Sequence, residues 1–238
     1  MIWEKFKDQF HESWHAKMQP FIESEACDKI YQFLKFEGKR GKTIAPASFQ
    51  TFRAFKETSL DNLKVVILGM CPYHTMKGNI TVADGLCMGC SNTQILQPSL
   101  DQFYEAITDD VYNGLALDRL KNYDVSYLSK QGVLMLNAAF TTEINKAGSH
   151  LELWQPFTQY VFEEILSFTG VPVVFLGKDA AKFERFVPPF TWQFKLSHPA
   201  SASYKDTRWS SEGTFTKINK ILKENNNFEI DWLEKMPF

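Results

Sequence analysis

The chain has 238 residues, 44% of them hydrophobic, and a formal net charge of −2 at pH 7. That length and apolar content suit one sizeable folded unit with a filled core and exclude a disordered chain except at the ends. The charge excludes a globally basic nucleic-acid binder, although a small local face can still be basic.

No apolar run approaches the roughly 18 residues of a membrane span, and the polar start MIWEKFKDQF lacks the form of a signal peptide. A soluble intracellular protein, cytoplasmic or nuclear according to source, is therefore expected, with no membrane partner.

From Ile2 to about Lys35 the pattern is helical, with Phe21, Ile22, Ile30, Tyr31, Phe33 and Leu34 recurring at three- and four-residue spacing. EGKRGK at 37–42 breaks it, and a polar stretch through Pro46 leads towards the first strand. Val65-Val66-Ile67-Leu68 reads as a buried interior strand that leaves the sheet at Gly69 through the loop GMCPYH, residues 69–74. A long segment containing Lys77, Gly78 and Asn79 comes next. Gln97-Pro98-Ser99 then reads as a turn and cap opening a helix near 100–112.

Val133-Leu134-Met135-Leu136 predicts a second strand ending at Asn137. A helix over roughly 152–168 precedes a third strand, Val171 to Leu176, ending at Gly177. A short helix near 179–186 and a fourth strand, Trp192 to Leu196, lead to Ser197-His198-Pro199, and a last helix runs from about Gly213 to Lys223. Strands alternating with helices imply an α/β fold of three layers: a central four-stranded parallel sheet flanked by helices. No repeat or linker interrupts it, so residues 1–238 read as a single domain.

The four cysteines are Cys27, Cys71, Cys87 and Cys90, and the last two form a C-x-x-C. Four such residues are able to ligate zinc or an iron–sulfur cluster. With only one close pair, four reduced thiols and no metal site is the expectation.

In a parallel sheet all C-terminal strand ends lie on one edge, where α/β proteins place their chemistry. The polar groups at Cys71–His74, Asn137 and His198 should converge there. Singly, an Asn at a strand end most often satisfies a turn, and a His before Pro is most often structural. Three different polar types at three strand ends point to a site.

Several segments, in order, resemble the uracil-DNA glycosylases over residues 60–222. GMCPYH resembles their water-activating motif, with Cys71 where the family has an aspartate. Asp84-Gly85-Leu86-Cys87-Met88 resembles the segment ending in a base-stacking phenylalanine, and Gln97-Pro98-Ser99-Leu100 the proline-rich minor-groove loop. Gly132 to Asn137 resembles the strand ending in a base-reading asparagine. Ala147-Gly148-Ser149-His150 resembles a structural turn, His198-Pro199-Ala200-Ser201 the catalytic histidine loop, and Phe215 to Asn219 the closing helix.

The resemblance implies hydrolytic removal of uracil from single- or double-stranded DNA, by a monomer, with no metal or organic cofactor. It implies catalysis at Cys71 and His198, uracil binding by Met70, Tyr73, Met88 and Asn137, and DNA contacts from Pro72, His74, Pro98, Ser99 and Ser201. A base inside a duplex is out of reach and has to be flipped into such a pocket.

The departures matter as much. A neutral thiol neither orients water nor stabilises a cationic sugar as a carboxylate does. Asp84 is a candidate substitute base, with the capping of its own turn as the simpler role. Ala202 stands near the family's wedge leucine, so Tyr204 or Trp209 becomes a candidate wedge. A weakly catalytic or inactive DNA-binding or replication-accessory protein, and a glycosylase for another modified base, are the rival readings.

Overall fold

The computed structural model describes residues 3–116, 119–205 and 207–236; Ile2, where the first helical pattern was expected to begin, lies outside them. At the centre stand Val65–Gly69 (β1), Val133–Asn137 (β2), Val173–Leu176 (β3) and Gln193–Leu196 (β4). They form an all-parallel sheet in the order β2-β1-β3-β4. Every residue of β1, β2 and β3 is buried, as continuous aliphatic runs covered on both faces require. The edge strand β4 exposes Lys195, which pairs with Glu184 at 2.8 Å, and a charge on an edge discourages pairing with another chain.

The flanking helices are Glu25–Lys39 (α1), Pro98–Val111 (α2), Leu151–Tyr160 (α3), Lys178–Ala181 (α4), Ala200–Ser203 (α5) and Thr214–Asn226 (α6). Aromatic rings fill the seams between these layers. Phe55 lies parallel to Phe140 at 5.8 Å, and Phe157 meets Phe140 edge-on at 4.9 Å. Elsewhere Phe103 of α2 meets Phe215 of α6 at 5.2 Å, and Phe215 meets Trp232 at 4.7 Å. Such pairs add about 0.5–1.5 kcal/mol each beyond their buried area.

The N-terminal pattern differs from the expected continuous stretch. It divides into Trp3–Phe6, His15–Ile22 and α1. Ser24 makes the break: its hydroxyl accepts the Cys27 N–H and so caps α1. The expected break at 37–42 comes late, because Glu37 is buried and ion-paired with Lys42 and Arg40, which carries the helix on to Lys39. The segment after His74 is compact: Met76–Lys77 pairs with Ile80–Thr81 across a turn at Gly78 and Asn79. Two further two-residue pairings, Ile44–Ala45 with Thr142–Glu143 and Arg119–Leu120 with Glu234–Lys235, were not expected.

Asp84 ties the following loop down. It is fully buried, pairs with Arg53 at 2.8 Å, and accepts from the Leu86 N–H and from both the N–H and hydroxyl of Ser91. Removing one partner of a buried pair strands the other and costs roughly 3–5 kcal/mol. Arg53 keeps Glu57 and Asp124, so Asp84→Ala is expected to lose stability near the low end of that range in urea unfolding. An unchanged midpoint would show that the loop does not depend on this carboxylate.

Candidate active site

The register of the sheet brings the site together. Gly69 lies directly opposite Asn137 on β2, Leu68 opposite Phe175 on β3, and Leu176 opposite Leu196 on β4. The residues just past these rows therefore leave from one level. Between them is a cavity of about 690 Å³, a size ordinary for a small-molecule site. Every residue named in the sequence as catalytic, uracil-binding or DNA-binding lines it, from Met70 and Cys71 to His198 and Ser201.

Gly69 makes the close approach possible. A Cβ there would stand 2.5 Å from Cys87 Sγ and 2.8 Å from Asn137 Oδ1. The N–H groups of Ala138 and Ala139 donate to the carbonyls of Gly69 and Met70, so the two strand ends remain laced as they leave the sheet. Asn137 is buried at the cavity wall.

Tyr73 is held by a 2.8 Å hydrogen bond between its hydroxyl and Ser99 Oγ, and burial pushes its pKa well above the ordinary tyrosine value. It stands as a neutral, fixed ring. Ser99, expected to contact DNA, is itself buried with its hydroxyl on Tyr73; Pro98 opens α2 at its first turn, where a missing N–H costs nothing. Met88 is buried with φ 60°. Ser201 donates its hydroxyl to the His198 carbonyl at 2.7 Å.

Cys71 and His198 are both neutral. Burial pushes the Cys71 thiol up to about 11, partly opposed by the Gly148 N–H that donates to its sulfur at 3.3 Å, while the charge of Asp179 pushes the same way as burial. Burial lowers the His198 pKa below 6.5. Its Nδ1 accepts the Ala200 N–H at 3.2 Å, so the ring proton sits on Nε2 and leaves a neutral donor. A Cys71 thiolate acting as nucleophile would need a cation such as a protonated His198 to hold it; a raised thiol pKa and a lowered imidazole pKa both argue against that pair. Two buried polar atoms at the cavity, His74 Nδ1 and Ser203 Oγ, have no partner within the protein; such atoms call for a ligand or solvent.

Asp84 does not join the site. Its carboxylate is spent on Arg53 and the 84–91 loop, so the capping role prevails over that of a substitute base. Trp209 is buried, its indole N–H donating to the Ser197 carbonyl at 2.8 Å, which withdraws it as a wedge. Ala202 is buried too, whereas Tyr204, at the cavity rim, is 86% exposed.

Sequence reasoning passed over Lys178, Asp179 and Ser203, and read Gly148 only as part of a structural turn, not as the N–H donor to Cys71. Lys178 and Asp179 come directly after a strand that ends at Gly177, and that position was the available signal. Among the described residues no cluster of three or more His, Cys, Asp or Glu is arranged to hold a metal, and no helix is long and apolar enough to cross a membrane.

The sheet, its helices and a cavity at the strand ends define an α/β protein with a small-molecule-sized site on the carboxyl edge. Comparison with known proteins names the family. The model of the uracil DNA glycosylase superfamily matches residues 55–223. A uracil-DNA glycosylase of Streptococcus pneumoniae (strain Hungary19A-6) is 33% identical over 227 residues, covering 94% of this chain and 99% of the relative. Among solved structures, mimivirus uracil-DNA glycosylase aligns with a TM-score of 0.82 at 23% identity, over 95% of this chain and 88% of its own. The UNG of Nitratifractor salsuginis aligns with a TM-score of 0.62 at 18% identity, over 98% and 96%. The chain belongs to the uracil-DNA glycosylase superfamily.

Filling the space at Gly69 tests the packing of the site. Gly69→Ala is expected to cost about 1–3 kcal/mol in urea unfolding, the usual scale of overpacking. Adding Cys87→Ala should recover part of the loss, since it removes one of the two colliding atoms. If Gly69→Ala is as stable as the parent, the strand ends yield freely and the close approach is unimportant.

Proposed function

We propose that the chain hydrolyses the N-glycosidic bond of uracil in DNA, as in base excision repair, working as a single glycosylase domain and a monomer. The observation that carries this reading is one cavity holding an amide, a fixed aromatic wall and a neutral imidazole donor at adjacent strand ends.

Each group has a task in that reaction. Flipping costs a few kcal/mol and delivers the base out of the stack. Asn137 offers both an acceptor and donors, which suits the N3–H and O4 edge of uracil and leaves cytosine mispaired. Tyr73 stands against C5, where thymine carries a methyl. Met88 supplies a polarizable apolar surface for the ring, and the backbone near Met70 and Cys71 meets O2.

Charge then moves onto the leaving base. The His198 Nε2–H donates to it as the C1′–N1 bond lengthens; a positioned donor of this kind is worth about 10²–10³ in rate. The loops bearing Pro72, His74, Pro98, Ser99 and Ser201 hold phosphates, which fixes the strand without reading its sequence. None of these steps calls on a metal or an organic cofactor.

A second reading, a glycosylase-fold protein that binds DNA with little turnover, is favoured by the protonated Cys71 thiol. A cleavage assay on uracil-containing single-stranded and duplex oligonucleotides decides between the two. Product is expected from the unaltered protein; binding without product would support the second reading.

Two variants refine it. Tyr73→Ala should lower the preference for uracil over thymine, by at least the roughly 10-fold that one methyl is worth in a pocket. Loss of turnover with an unchanged preference would make Tyr73 structural. Cys71→Asp should raise turnover, by up to about 10²-fold, by placing a carboxylate where it can orient the attacking water, and Cys71→Ser should stay within a few-fold of the parent. A collapse of activity in both, with a sugar adduct on the thiol by mass spectrometry, would restore the nucleophile.

A further inference from the structure

We infer that Asp179 supplies the carboxylate of this active site, from β3 rather than from the loop after β1. Among the described residues lining the cavity it is the one carboxylate. This assignment rests on the glycosylase reading and deepens it.

Geometry places Asp179 on the cavity wall, at the strand exit beside the His198 loop. β3 lies between β1 and β4, so the segment leaving it stands between the Cys71 loop and the His198 loop. Its exit turns at Gly177, which has φ 91° and lies so close to His198 that an added Cβ would stand 3.1 Å from the His198 Cβ. The Gly177 N–H donates to the Leu196 carbonyl at 2.8 Å, which keeps the exit in register with β4. Asp179 is the second residue of α4, its side chain 32% exposed, and Lys182 one turn on holds one of its oxygens at 2.6 Å. Among the described residues no hydrogen bond or ion pair is formed by the other carboxylate oxygen. The Asp179 charge is felt at the Cys71 thiol, where it pushes the same way as burial, and both residues line the one cavity.

In the reaction, the C1′–N1 bond breaks and its electron pair leaves with uracil, held as an anion by His198. The Asp179 charge opposes the positive charge developing on the sugar. Water forms the new C1′–O bond and passes a proton to Asp179; this returns to solvent, from which the uracil anion is protonated. No oxidant, reductant or further reactant is needed.

The test is single-turnover cleavage of a uracil-containing oligonucleotide by the parent, Asp179→Asn, Asp179→Glu, Cys71→Asp and the Cys71→Asp/Asp179→Asn double variant. Binding to a non-cleavable uracil analogue in the same oligonucleotide is measured alongside. Asp179→Asn should cut the cleavage rate at least 30-fold with affinity unchanged or tighter, since a charge repelling phosphate is gone. Asp179→Glu should keep part of the rate. The double variant should recover it, because the carboxylate returns from the neighbouring strand end.

An Asp179→Asn rate within threefold of the parent overturns the inference and leaves the glycosylase reading standing. So does a parent that turns over only after Cys71→Asp. A loss of analogue binding equal to the loss of rate also overturns it, by making Asp179 a structural or DNA-contact residue. No cleavage by either the parent or Cys71→Asp would overturn the glycosylase reading itself, and the inference with it.

Discussion

The close approach of β1 and β2 at their carboxyl ends is the constraint on which the active site depends. Parallel register sets Gly69 opposite Asn137, and the missing Cβ lets the amide and the Cys87 sulfur occupy the same small volume. A parallel sheet delivers all its strand ends to one edge, but delivery alone leaves side chains several ångströms apart. Glycine at the exit of an interior strand closes that gap. The hydrogen bonds from Ala138 and Ala139 then keep the diverging chains together for two more residues, far enough to carry Cys71 over the pocket.

Burial favours the neutral forms of Cys71, Tyr73 and His198. It raises the Cys71 thiol and lowers His198, so one environment keeps an acid protonated and a base unprotonated. For His198 this is an advantage: a neutral Nε2–H donor becomes stronger only as negative charge arrives, and so favours the transition state over the ground state. For Cys71 it is a handicap, because a thiol held near 11 at neutral pH neither accepts a proton from water nor opposes a cation. The Gly148 N–H on its sulfur opposes the shift without cancelling it.

The sheet was legible because Val65–Leu68, Val133–Leu136 and Val173–Leu176 are unbroken apolar runs too short for helices. The meeting of polar groups at one cavity was foreseeable for a related reason: the runs stop at Gly69, Asn137 and Gly177, and polar residues stand at or just past those exits. The features that escaped the sequence lacked such contrast. Two-residue strand pairs carry no periodicity, and Ser24 looks like any helical serine until its hydroxyl is seen to cap α1. Asp84 and Asp179 were indistinguishable by type, each an aspartate near a glycine. Only burial separates them, one enclosed by Arg53 and backbone N–H groups, the other lining the cavity. The expectation of a short helix near 179–186 took in Asp179 and Lys182 without marking either as a site residue.

Adjacent parallel strands make such a relocation of charge physically reasonable. Cys71 stands three residues past Leu68, and Lys178 three past Phe175, in a register that pairs Leu68 with Phe175. A carboxylate shifted from one exit to the next moves by at least one strand spacing, about 5 Å. Coulomb attraction falls only as the inverse of distance, so stabilisation of a sugar cation survives such a move better than a hydrogen bond to one water does, since that bond needs its partner within about 3 Å. The two tasks of a glycosylase carboxylate are thus unequally portable. A site rebuilt in this way would keep most of its electrostatic help and lose part of its water-orienting geometry, and its deficit would fall on the attack of water more than on the departure of the base.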